Sequence, residues 1–143
     1  MPVETSHLLV AELRGDLLVP CGPAHNGQAP EQAALNVLLG APSGITVLRR
    51  LAVDWVQMRR RRIFTYVVAA HPLTHTDAAC LTYHDGRADL LVLPTMQATS
   101  ALPALARARV LAALKALADE EMAYLEAGIL SRTESPRLTG SRA

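Results

Sequence analysis

Histidine moves protons near neutral pH without help from a metal, and this chain carries five: His7, His25, His71, His75 and His84. His25 lies in the glycine- and proline-rich stretch CGPAHNGQAP, His71 and His75 frame HPLTH, and His84 precedes Asp85-Gly86. Asp54 stands beside Trp55 in AVDWVQ, and a carboxyl buried against an indole can be held toward its protonated form and serve as an acid. His25, Asp54 and His71 are therefore the candidate catalytic groups. The densest charge is the run Arg59–Arg62, with Arg49 and Arg50 near it, and the guanidinium fork suits phosphate or carboxylate. Plainer readings stand beside these: histidines as solvated loop residues, the arginine run as a hairpin tip, Asp54 as structural, Tyr66 and Tyr83 as sheet-face residues. His71, His75 and Cys80 are zinc-ligand types, but their spacing fits no familiar site and a fourth ligand is lacking. No metal or other cofactor is expected.

The elements that must position these residues follow from periodicity and turn signals. SHLLVAEL and DLLVPC are short apolar runs either side of the turn RGD, and read as a hairpin. After GPAHNGQAP, Pro30 opens a helix, PEQAALNVLLGA, with Ala34, Val37, Leu38 and Ala41 on one face and a stop at Pro42-Ser43-Gly44. Residues 45–58 and 63–70, rich in β-branched and aromatic side chains, predict a long hairpin with the arginine run at its tip. ACLTYH and DLLVLP flank the turn dipeptide Asp85-Gly86 and predict a second hairpin. Leu105, Leu111, Leu114, Leu117, Met122 and Leu125 recur at helical steps and predict a long helix from Pro103 to Ala127, capped by Gly128. Residues 129–143 have no apolar period and read as a mobile tail. No repeat and no second domain is evident.

This order of elements, together with VPCGPAHNGQAPEQAALNVLLGAPSGI, resembles the Nudix superfamily over about residues 6–128. Pro20-Cys21-Gly22 stands where that family has Pro-Gly-Gly, Gly27-Gln28 replaces Gly-Glu, and Gly44-Ile45 closes the box one residue late. The resemblance implies an α/β (α+β) fold: a Nudix-like α/β/α sandwich with a mixed central sheet and a long C-terminal helix, in one domain of residues 1–128. It does not carry the chemistry over. Counted from Gly22, Gln28 stands at the first glutamate, Asn36 at the arginine, and Val37, Gly40 and Ala41 at the remaining glutamates. Slipping by one puts Leu38, Ala41 and Pro42 there, and neither register restores a carboxylate to bind a hard cation. Glu31 is the one acid left on the helix. The resemblance places His25 near the substrate phosphates and the Asp54–Trp55 strand along the cleft. With the arginines of the run, and with Tyr66 read as lining a pocket, the candidate ligand set is Cys21, Gln28, Asn36, Trp55, Tyr66, Arg59 and Arg60. The resemblance leaves little chain for a further leading strand, so an exposed sheet edge and a homodimer are expected.

Bulk properties bound the function. The chain has 143 residues, is half hydrophobic and 19% charged, and carries a formal charge of +1. It should fold as a globular protein with no global attraction for polyanions. With aromatics at 3%, base stacking along a strand is not expected, so nucleic acid is not an expected partner. No apolar run is long enough for a membrane span and the start lacks a basic signal region, which points to the cytoplasm. Cys21 and Cys80 are too few for a disulfide framework. Three classes remain open: a module that binds a small molecule or a protein partner, an enzyme of a metal-free reaction (isomerase, cyclase or hydrolase), and an edge-pairing structural protein. Binding ranks ahead, because no convergent acid–base pair is demonstrable from sequence.

Overall fold

Leu8, Leu9, Val10 and Ala11 are buried in succession, which marks β2 (His7–Leu13) as a strand covered on both faces. The computed structural model describes residues 1–135 apart from Glu4, Thr5 and Ser43. Along one side of β2 runs β8 (Asp89–Pro94), antiparallel from His7↔Pro94 to Glu12↔Asp89. Along the other, β1 (Pro2–Val3) pairs with its start and β3 (Asp16–Leu18) with its end. The expected β2–β3 hairpin forms, turned by Arg14 and Gly15 at φ 54° and 86°. Two positive φ values in a two-residue loop match the twist of the flanking strands.

The chain contacts gather into two compact units. The first comprises Met1–Arg49 and Ala69–Pro103. Besides β1, β2, β3 and β8 it holds α1 (Pro30–Leu35), α2 (His75–Ala79), α3 (Thr95–Ala101) and a small sheet of β4 (Leu38–Leu39) with β7 (Thr82–Tyr83). Val3, Leu9, Ala11, Val37, Leu38, Ala78 and Tyr83 form its core. The second unit comprises Arg50–Val68 and the chain from Ala104. Its four-stranded sheet has the order β10-β9-β5-β6, with β5 (Val47–Met58), β6 (Arg61–Ala70), β9 (Met122–Glu126) and β10 (Ile129–Glu134), and α4 (Ala104–Ala118) packs on β9. β5 and β9 are parallel while β9 and β10 are antiparallel. The fold is mixed α/β, as expected, with several sheets and four helices among the described residues.

Five expectations need correction. The helix opened by Pro30 ends at Leu35, not near Ala41, because Leu38 and Leu39 are taken into a ladder with Tyr83 and Thr82. Ala34, Val37, Leu38 and Ala41 therefore share no helical face. The strands flanking Asp85-Gly86 do not pair with one another: β7 joins β4 and β8 joins β2. Arg87 folds back on Asp85 through its backbone N–H and its guanidinium, which shapes the connection. The long C-terminal helix stops at Ala118. Glu120 takes φ 55°, the Glu121 N–H donates to the Ala116 carbonyl at 2.8 Å, and the Glu120 N–H donates to that of Leu117. This is a Schellman stop built on glutamate instead of glycine. Gly128, expected as the helix cap, instead shares the β9–β10 turn with Ala127, at φ 82° and 50°. The first part of the expected tail is strand β10, and residues 136–143 lie outside the described residues.

Candidate functional site

The sheet of the second unit has two unlike faces. Strand alternation sends Ala52 and Asp54 of β5 to the same side as Ala123 and Leu125 of β9, their register partners, and all four are buried. Asp54 is only 1% exposed. Arg109 of α4 donates from Nε to its Oδ2 at 2.6 Å, and the Gly128 N–H donates to Oδ2 at 3.0 Å and Oδ1 at 3.2 Å. Both carboxylate oxygens are thus occupied in tying β5 to α4 and to the β9–β10 turn. Glycine suits the turn because its φ of 82° is one that L side chains rarely adopt, and a Cβ there would also push aside the end of the Leu105 side chain, 2.9 Å away at Cδ1.

The opposite face is aromatic and basic. Val53 pairs with Tyr124 and Tyr124 with Arg132, so Trp55, Tyr124 and Arg132 point the same way. Arg62 lies over the Trp55 ring at 4.5 Å, Arg132 over the Tyr124 ring at 4.2 Å, and Arg50 over the Tyr66 ring at 5.3 Å. On β6, Arg62, Phe64 and Tyr66 alternate onto this face, with Phe64 53% and Tyr66 40% exposed. Four of the five Trp, Tyr and Phe residues of the chain therefore share one sheet face. Glu126 and Glu134 are also on it; burial first, and then the negative charge of the neighbouring Glu134, raise the Tyr124 phenol pKa. At the β5–β6 turn, Met58, Arg59, Arg60, Arg61 and Ile63 line a concavity of about 470 Å³. Arg59 is held at φ 54°, a region that costs a non-glycine residue roughly 1 kcal/mol.

In the first unit the candidate loop is tied to β7. The Tyr83 hydroxyl donates to the Cys21 carbonyl at 2.8 Å and accepts from the Cys21 N–H at 3.2 Å; Cys21 Sγ lies 3.8 Å away. His84 Nε2 is 2.7 Å from the same carbonyl, which can only accept, so Nε2 carries the proton. Burial, ahead of the other causes, raises the Tyr83 phenol pKa. Asp85, beside it, is held down to about 2 by its hydrogen bonds from the Arg87 side chain and backbone. A second concavity of about 340 Å³ is lined by residues that include Leu9, Leu81, Tyr83, Gly86 and Leu90.

The predicted residues divide between these places. Trp55, Tyr66, Arg59 and Arg60 belong to the sheet of the second unit, with Asp54 on the reverse side from Trp55. Cys21, Gln28, Asn36, His25 and His71 belong to the first unit. His25 and His71 are exposed; the His25 N–H donates to Gln28 Oε1 and the His71 N–H to the Thr46 carbonyl. Asn36 is the exposed C-cap of α1. No three His, Cys, Asp or Glu side chains among the described residues group closely enough to hold a metal ion. Gly40, one of the positions that the sequence resemblance aligns with a glutamate, has φ 97°, and a Cβ there would lie 2.8 Å from the Cys80 carbonyl oxygen. Val37 is core. Sequence reasoning missed Phe64, Arg62, Tyr124 and Arg132 as members of one face. The signal was the alternation in MAYLE, which the leucine spacing around it disguised as helix.

Among known proteins, no family model, no curated protein and no solved structure matches this chain.

Proposed function

We propose that this protein is a non-catalytic binding module, and that its ligand surface is the aromatic, arginine-bearing face of the β10-β9-β5-β6 sheet. One observation carries the reading: Trp55, Phe64, Tyr66 and Tyr124 are gathered on that face and arginines lie over three of the rings. Flat rings offer stacking surface, and guanidinium groups offer charge and planar hydrogen bonding, so the ligand class is planar and anionic. Metal-dependent diphosphate hydrolysis is no part of the proposal, since Val37 and Gly40 occupy positions where carboxylates would be needed. Nor is acid–base catalysis by Asp54, whose two oxygens already have partners.

Descent from a Nudix-like α/β/α sandwich belongs to the proposal as the origin of the scaffold. Its support is the course of the sequence from Pro20 to Ile45 and the helix start at Pro30. A homodimer belongs to it as well, but not through the leading edge the sequence suggested, since β2 is paired with β8 on one side and with β1 and β3 on the other; its support is the outer strand β10, where Ile129 and Leu130 are exposed. The unpaired thiols of Cys21 and Cys80 suit a reducing, cytoplasmic setting. No described helix is long and apolar enough to cross a membrane.

The test is thermal unfolding against nucleotides, sugar nucleotides, coenzyme A esters and uncharged metabolites, each with and without Mg²⁺. A ligand at a hundred times its Kd should raise the midpoint by roughly 3–5 °C. Stabilisation by planar anions without metal is expected. Stabilisation by diphosphates only when Mg²⁺ is present would reject the reading and return the chain to the hydrolases.

A further inference from the structure

We propose that the ligand of this face is single-stranded nucleic acid, an inference that rests on the binding-module reading and narrows its ligand. The rings lie on three adjacent strands, Tyr124 on β9, Trp55 on β5, and Phe64 and Tyr66 on β6, so neighbouring rows are about 5 Å apart. A row of stacking positions wider than one base suits a chain of unpaired bases better than one nucleotide. Three of the rings already carry a guanidinium, and a guanidinium plane is itself a stacking surface for a base. Phe64 is the exposed ring with no arginine over it.

Charge sets the direction of the strand. Glu126 and Glu134 lie toward the β9–β10 side, whereas Arg59, Arg60, Arg61 and Arg62 run through the β5–β6 turn into β6. Phosphates would follow β6 and the concavity at the turn, with bases directed onto Phe64, Tyr66 and Trp55. Duplex nucleic acid fits less well, because its bases are already stacked and their faces hidden. A second copy set face to face would bring like arginine rows together. A membrane anchor would need an unbroken apolar tip, but the exposed Met58, Ile63 and Phe64 are interrupted there by Arg59, Arg60, Arg61 and Arg62, and the other rings lie along the sheet.

The test is fluorescence anisotropy with labelled oligo(dT) and oligo(U) of roughly fifteen nucleotides, with a duplex of equal length and mononucleotides as competitors. Both single strands should bind at least about tenfold tighter than the duplex or a mononucleotide. Phe64→Ala and Phe64→Leu should each weaken binding about tenfold without changing its salt dependence; leucine keeps the apolar area but cannot stack. Arg60→Ala should weaken binding and flatten the slope of log affinity against log salt by about 0.7, one phosphate's share on a single strand. Lys115→Ala, on α4, should change neither. Equal affinity for duplex, indifference to both Phe64 variants, or binding to phosphatidylserine vesicles in place of oligonucleotides would overturn the proposal. Phe64-dependent binding of mononucleotides with no gain for the oligomer would overturn it while leaving the module reading intact. No binding to any of these probes would overturn this proposal and leave the module reading to the thermal-unfolding panel, where silence across every planar anion would remove that reading as well.

Discussion

Asp54 shows how one residue type supports opposite readings. In AVDWVQ it reads as an acid beside an indole, yet alternation puts Trp55 on the other face and directs Asp54 to Arg109 and Gly128. Its partners lie 55 and 74 residues away in sequence, so no local pattern could reveal them. Asp54→Asn leaves Arg109 facing a neutral amide, and breaking a buried pair from one side should cost about 3 kcal/mol by urea unfolding. A fully stable variant with altered ligand binding would instead return Asp54 to the functional residues. Asp85 makes a pH-dependent contribution of the usual acidic sign. Its folded value of about 2 lies below the ordinary 3.8, so its contribution is present above pH 4 and is lost as pH falls toward 2. Acid titration of Asp85→Asn should show a shallower loss of stability across that window than the parent.

The elements read best from sequence were those whose signals were local: the β2–β3 hairpin at Arg14-Gly15, the start of α1 at Pro30, and the β5–β6 pair. Those misread were decided by partners distant in the chain. β4 exists because Thr82 and Tyr83 are there to pair with it. β9 ends the helical reading because β5 offers a parallel neighbour. In α4 the small residues face inward: Ala113 and Ala116 are buried, while Leu105, Leu111 and Leu117 are exposed. A leucine repeat therefore named the wrong side of the helix. Ala116→Leu should overpack the buried side and cost about 1–3 kcal/mol, whereas Leu111→Ala should cost well under 1 kcal/mol in thermal or urea melts. The reverse ranking would mean that the leucine side is the packed one.

At the scale of the whole molecule, the composition set bounds but hid the arrangement. Five aromatics in 143 residues look too few for a stacking surface, until four of them fall on one face. Sedimentation velocity tests the proposed pairing through β10: the protein should sediment as a dimer, and Ile129→Lys on β10 should shift it to monomer. A monomer at every concentration would sink it. Each unit is also made of two separate stretches, with the chain entering the second along β5 and leaving along β6. That division has a consequence during synthesis. The β5–β6 ribbon leaves the ribosome some fifty residues before β9, its sheet neighbour, is made. At typical elongation rates this ribbon waits roughly 3–10 s with one long flank unsatisfied. The arginines of β6 and its turn place repelling charge on that nascent ribbon while it waits, and so guard it against pairing with the same ribbon on the next chain along a messenger.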